Sequence, residues 1–194
     1  MTSAIRMTGW DVAVLVAVVV LTALVFANGA EGAELAGGIA ANGALLLVWS
    51  VLGRRGDESR AAPAASALLI LIGGVATAIT PSMATMQAIL FPLLWFVSRT
   101  TTRAVVSNAL LAVSVGVGYV VGLGPTGEVV LQAVVIELIS FLGSLAIGLW
   151  ISRISVESEE RKRLLAELRE TQALLADASR EAGVLGERAR LARE

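Results

Sequence analysis

Residues 128–194 read EVVLQAVVIELISFLGSLAIGLWISRISVESEERKRLLAELRETQALLADASREAGVLGERARLARE, and their interpretation decides the fold. From Glu128 to Ser152 the stretch is apolar and of membrane length; from Arg153 onward it is charged. No Gly/Pro break separates the two parts, so the sequence predicts one helix that leaves a bilayer and continues into water. Such a helix is a rod of roughly 100 Å at ~1.5 Å per residue, able to carry motion from membrane to cytoplasm.

In the charged part, a seam of alternating 3 and 4 spacing takes in Ile154, Glu157, Arg161, Leu164, Leu168, Thr171, Leu175, Ala178, Ala182, Leu185, Ala189 and Ala192. This is a coiled-coil register with built-in weaknesses. Glu157 and Arg161 interrupt its start and alanines thin its end, while Gly183 and Gly186 each cost about 1 kcal/mol relative to Ala. A seam of that kind suits two packings of similar energy; a plain solvated helix or a static dimerisation rod is the other reading.

With 56% hydrophobic and 16% charged residues and a mean hydropathy of +0.80, the chain is that of an integral membrane protein. Its charge is unevenly placed. Residues 1–152 hold six Arg and seven acidic residues, whereas the 42 residues from Arg153 hold nine basic and nine acidic ones. The net charge of −1 and the lack of a basic patch argue against nucleic-acid binding. Without cysteine there are no disulfides or thiolate chemistry, and without histidine the commonest metal ligand and general base are missing. Fourteen Arg against the single Lys162, with abundant Ala, Val and Gly, suit a bacterium of high-GC genome.

Read in order, the chain gives six apolar spans at about 10–27, 35–52, 64–79, 82–98, 104–123 and 128–152, all helical. The first is longer than a typical signal-peptide core and further spans follow, so it is expected to stay as a membrane helix. Pro63 suits a first helical turn, Thr80-Pro81-Ser82 turns the chain, and Pro92 is expected to kink the fourth helix. The loop charges then test the topology. Arg6, Arg54/Arg55/Arg60, Arg99/Arg103 and Arg153 all fall on one side, and the loops bearing Glu31/Glu34, Thr80 to Ser82 and Glu128 have no basic residue. By the positive-inside bias both termini are cytoplasmic, in a bacterial inner membrane. Trp10, Trp49, Trp95 and Trp150 mark the same cytoplasmic ends. The outer loops are too short for an extracellular ligand-binding domain.

Inside the spans, Glu137 is the one carboxylate well away from the ends, and in hydrocarbon it needs a proton, a hydrogen-bond partner or water. Depth counted from span midpoints puts Asn42, Gln87 and Ser114 near it, which defines a candidate intramembrane sensing layer; ordinary interhelical hydrogen bonding is the competing reading. Asp11, near the start of the first span, reads as interfacial. Gly118 and Gly122 form a GxxxG pair, and Ser140, Gly143, Ile147 and Trp150 continue the tail's register back along the sixth helix. That second stripe faces either a twin helix in a dimer or the interior of one bundle.

The last residues, Glu187-Arg188-Ala189-Arg190-Leu191-Ala192-Arg193-Glu194, resemble the segment just before the phosphoaccepting histidine in sensor histidine kinases of the DesK/NarX type, where E-R-x-R-[IL]-A-R-E precedes an apolar residue and His-Asp. The resemblance implies an all-α, six-helix transmembrane sensor whose sixth helix continues as a cytoplasmic coiled coil into a dimerisation-phosphoacceptor domain beyond residue 194. It further implies a homodimer, a response regulator reached through that core, and a stimulus borne by the lipid bilayer, a membrane protein or a hydrophobic ligand. ATP and Mg belong to the kinase core, so no cofactor, metal or catalytic residue is assigned within these 194 residues. Only Glu187 to Glu194 carry over from the family. Two other readings fit the same composition: a small six-span transporter or channel with a coiled-coil assembly tail, and a membrane-anchored scaffold.

Overall fold

In the computed structural model, residues 9–53 and 61–191 are described, the side chains of 156, 159 and 173–191 excepted. Arg6, Arg54, Arg55, Arg60, Ala192, Arg193 and Glu194 therefore lie outside the described residues, as do the side chains of Leu175, Ala178, Ala182, Leu185, Glu187, Arg188, Ala189, Arg190 and Leu191.

The chain is all-α. It comprises α1 (Gly9–Ala27), α2 (Gly32–Val51), α3 (Ala62–Ile79), a 3-10 helix (Pro81–Met86), α4 (Gln87–Val97), α5 (Thr101–Leu123) and α6 (Gly127–Leu191). Five of the α-helices are long and apolar enough to cross a membrane, which makes this a multi-pass helical membrane protein. Two compact units are distinguished, Met1–Leu149 and Trp150–Glu194.

Local chemistry sets the helix ends. At the end of α1, Gly29 takes φ 69°, its N–H bonds Phe26 O, and Ala30 N–H reaches back to Val25 O; this is a Schellman stop, which needs a residue free to adopt positive φ. Thr100 caps α5 by accepting from Arg103 N–H, and Thr126 caps α6 by accepting from Val129 N–H.

The expected fourth span departs from a simple helix. Its first six residues, Pro81–Met86, are 3-10 and only Gln87–Val97 are α-helical. Pro81 starts the turn, Met83 N–H bonds Thr80 O and the Thr85 hydroxyl bonds Ser82 O, so three-residue spacing is reinforced from both backbone and side chain. Pro92, where a kink is expected, lies inside α4, which continues through it to Val97.

This irregular segment is also the most enclosed. Met83, Met86, Leu90, Leu93, Leu94 and Val97 are fully buried, because the 3-10 turn touches α1, α3 and α5 while α4 lies against α3 and α5. Non-helical backbone at membrane depth is tolerated only when protein surrounds it, and here protein does.

Among the described residues, the most extensive helix–helix contact is that of α3 with α5. A β-carbon on Gly118 would collide with Gly74 O, and one on Gly122 would stand 3.0 Å from Ala78 O. The GxxxG pair thus brings two backbones together within the bundle. At one end, Trp10, Trp49 and Phe96 form an aromatic cluster with centroids 5.1 to 6.4 Å apart. Trp49 Nε1 donates to Asp11 Oδ1 at 2.9 Å there, and Asp11 is buried within the bundle. Toward the other end, Thr80 Oγ1 donates to Glu34 O at 2.7 Å.

Candidate functional site

Up to Leu149, α6 is attached by a single narrow stripe. Ala133, Glu137 and Gly148 are buried, with Val129, Ser140, Phe141, Ser144 and Leu145 half-buried beside them. The spacing of these positions follows one helical face, and most of them are small or polar. The remaining apolar residues of this part, such as Leu131, Ile139, Leu142 and Ile147, are exposed.

Midway along the stripe, Glu137 enters a groove of about 630 Å³ between residues 109–121 of α5 and 130–141 of α6. Apart from Glu137 the lining is Ala, Val, Gly, Leu and Phe. Gly116 makes room for the acid, since a β-carbon there would stand 3.2 Å from Glu137 Cγ. The Gln87 side chain lies close to the Glu137 carboxyl group. Glu137 is 8% exposed, yet its Oε2 has no hydrogen-bond partner. A buried oxygen in that condition is costly unless something supplies a donor.

The other members of the expected polar layer hydrogen-bond to different helices. Asn42 Nδ2 donates to Thr22 Oγ1 at 2.9 Å, joining α2 to α1; Ser114 Oγ donates to Ile70 O at 3.2 Å, joining α5 to α3. Of the four candidates, the structure brings Gln87 close to Glu137, and it engages Asn42 and Ser114 in separate helix contacts.

A second polar group was not singled out by the sequence. Trp95 Nε1 donates to Ser144 Oγ at 3.2 Å, Ser144 Oγ donates to Asn108 Oδ1 at 2.9 Å, and Asn108 Nδ2 donates to Ala104 O at 2.7 Å. This relay ties α4, α6 and α5 together around the fully buried Asn108. The Trp95 ring occupies the space where a Gly148 side chain would be. An asparagine and a serine in consecutive apolar spans were the available signal.

Of the sixth-helix stripe continued from the tail, Ser140 is half-buried against the bundle, whereas Gly143 and Ile147 are exposed. Gly143 has nothing within 4 Å of its β-carbon position, and Ile147 is 61% exposed. In the unit Trp150–Glu194, the seam residues Ile154, Leu164 and Leu168 are exposed. Glu157 pairs with Arg161 at 3.8 Å and Arg163 with Glu167 at 2.9 Å. Both are solvated i,i+4 pairs worth a few tenths of a kcal/mol, roughly 0.3–0.5.

Among the described residues no group of three His, Cys, Asp or Glu side chains is placed to hold a metal. Comparison with protein-family models, with curated proteins and with solved structures gives no match.

Proposed function

We propose that the chain is the membrane sensor and signalling helix of a two-component sensor histidine kinase. The observation that carries this reading is α6, helical from Gly127 to Leu191, which takes the apolar stretch into the heptad-patterned tail and toward the E-R-A-R-L-A-R-E ending. Six crossings with both termini on the arginine-rich side fit the short fourth segment. A 3-10 helix rises ~2.0 Å per residue, so Pro81 to Val97 reaches roughly 28 Å, close to the ~30 Å hydrocarbon core.

The proposed mechanism is a shift in rotation or register of α6 that exchanges two packings of a dimeric tail. Attachment along one stripe of small and polar residues favours this, because α6 can move without opening the core formed by the other helices. A stimulus worth a few kcal/mol suffices when the two packings differ by a similar amount.

The test joins residues 1–194 to the phosphoacceptor and ATP-binding domains of a kinase of this type and inserts one to seven residues after Arg153. Autophosphorylation in membrane vesicles is expected to rise and fall with heptad phase. Activity independent of insertion length would sink the proposal, and solute flux through liposomes carrying the chain would then support the transporter reading.

A further inference from the structure

We propose that the α5/α6 groove is a binding site for a lipophilic amine, a single protonated nitrogen on an apolar body, with Glu137 as the counter-charge. Three observations select that chemistry. The groove, about 630 Å³, is the size of a small-molecule site. Its lining is apolar except for one carboxyl group, so an occupant needs an extended apolar body and one polar atom. Glu137 as a residue is more than nine-tenths buried and keeps Oε2 without a donor.

The sign of the missing charge follows from the rest of the chain. Residues 104–152 contain no Arg or Lys, and neither do residues 7–53 or 61–98. Gln87, the polar group from α4 that meets Glu137, is uncharged. No side chain within the spans can neutralise a carboxylate, so any cation that pairs with Glu137 comes from outside the chain. An ammonium–carboxylate pair is neutral as a unit, and the low dielectric that penalises a lone charge strengthens such a pair. A long-chain alcohol would fill the same apolar wall and satisfy Oε2 with its hydroxyl, but it would gain no charge pairing.

Access is lateral. Val113, Val117, Val121, Val134 and Leu138 line the groove and are exposed on the outside of the bundle, so a ligand dissolved in the bilayer reaches Glu137 without crossing the protein. Such an amine would act as the stimulus, a role that rests on the sensor reading, whereas its binding does not.

The experiment uses the full 194-residue chain in lipid nanodiscs with tritiated dodecylamine as probe and unlabelled dodecanol as competitor. Saturable binding near one per chain is expected, with dodecanol a weak competitor. Glu137→Gln keeps the size and a hydrogen-bonding head and is expected to weaken amine binding by roughly tenfold or more. Val117→Trp, at an exposed position of the groove wall, is expected to block binding while leaving the fold intact. Unchanged binding in either variant, or equal competition by dodecanol, would overturn the site and show partition into lipid only. Saturable amine binding that leaves the fused kinase unaffected would keep the site and count against the sensor reading; heptad-phased kinase output without saturable binding would overturn the site alone.

Discussion

The Trp95 indole fills the space above Gly148 that a side chain would need, and one turn earlier its Nε1 donates to Ser144. Gly148 is therefore expected to tolerate no side chain. Gly148→Leu should displace the indole and loosen α6, costing about 1–3 kcal/mol as overpacking. Thermal unfolding in detergent and the near-UV circular dichroism of Trp95 measure this; a variant that melts and absorbs like the parent would refute it.

Ser144 and Asn108 act as one hydrogen-bonded unit. Ser144→Ala is expected to cost about 0.5–1.5 kcal/mol, in the range of interhelical hydrogen bonds in membranes. Asn108→Ala should cost more, since it also leaves a space at a fully buried site. A double-mutant cycle is expected to be non-additive; strict additivity would mean that the two side chains are not coupled.

Two helical glycines should behave in opposite ways. Gly118→Ala forces a methyl against Gly74 O on α3 and is expected to destabilise the bundle by about 1–3 kcal/mol. Gly143→Ala meets nothing within 4 Å and is expected to be neutral or slightly stabilising through its helix propensity. Equal melting temperatures for the two variants would contradict the α3–α5 packing.

Cysteines placed singly along α6 should report a dimer by their periodicity. Crosslinking between protomers is expected at Gly143 and Ile147, which lie on the outward stripe, and not at Ala133, which is buried within the bundle. Crosslinks at none of the outward positions in native membranes would remove the homodimer from the proposed mechanism.

The tail offers a separate test. Glu157 and Arg161 pair within one helix, so replacing both by Leu exchanges a weak ion pair for apolar seam residues. In the fused kinase this is expected to fix one output level irrespective of stimulus. Normal switching in that variant would exclude exchange between coil packings.

Most of the helix boundaries were legible because apolar runs and turn residues are local signals, and α1, α2, α3, α5 and the start of α6 lie within a few residues of the expected spans. The 3-10 onset of the fourth segment was less so. It depends on hydrogen bonds within the Thr80–Thr85 turn and on enclosure by α1, α3 and α5, and enclosure is not written in a run of apolar letters. Depth counting names Gln87 beside Glu137, and the two side chains lie close together; on α5 it names Ser114 and passes over Asn108. Six residues apart on α5, these side chains point about 120° apart, so depth without azimuth could not tell which one meets α6. Ser114 instead reaches Ile70 O on α3.

The narrow attachment of α6 also orders the molecule's local stabilities. None of the largest fully buried side chains among the described residues belongs to α6; they come from the helices before it. Opening free energy follows buried apolar contact. Amide protons from Val129 to Gly148 should consequently exchange through sub-global opening while those of α3, α4 and α5 remain protected, giving the bundle a hard kernel and one low-cost element at its edge.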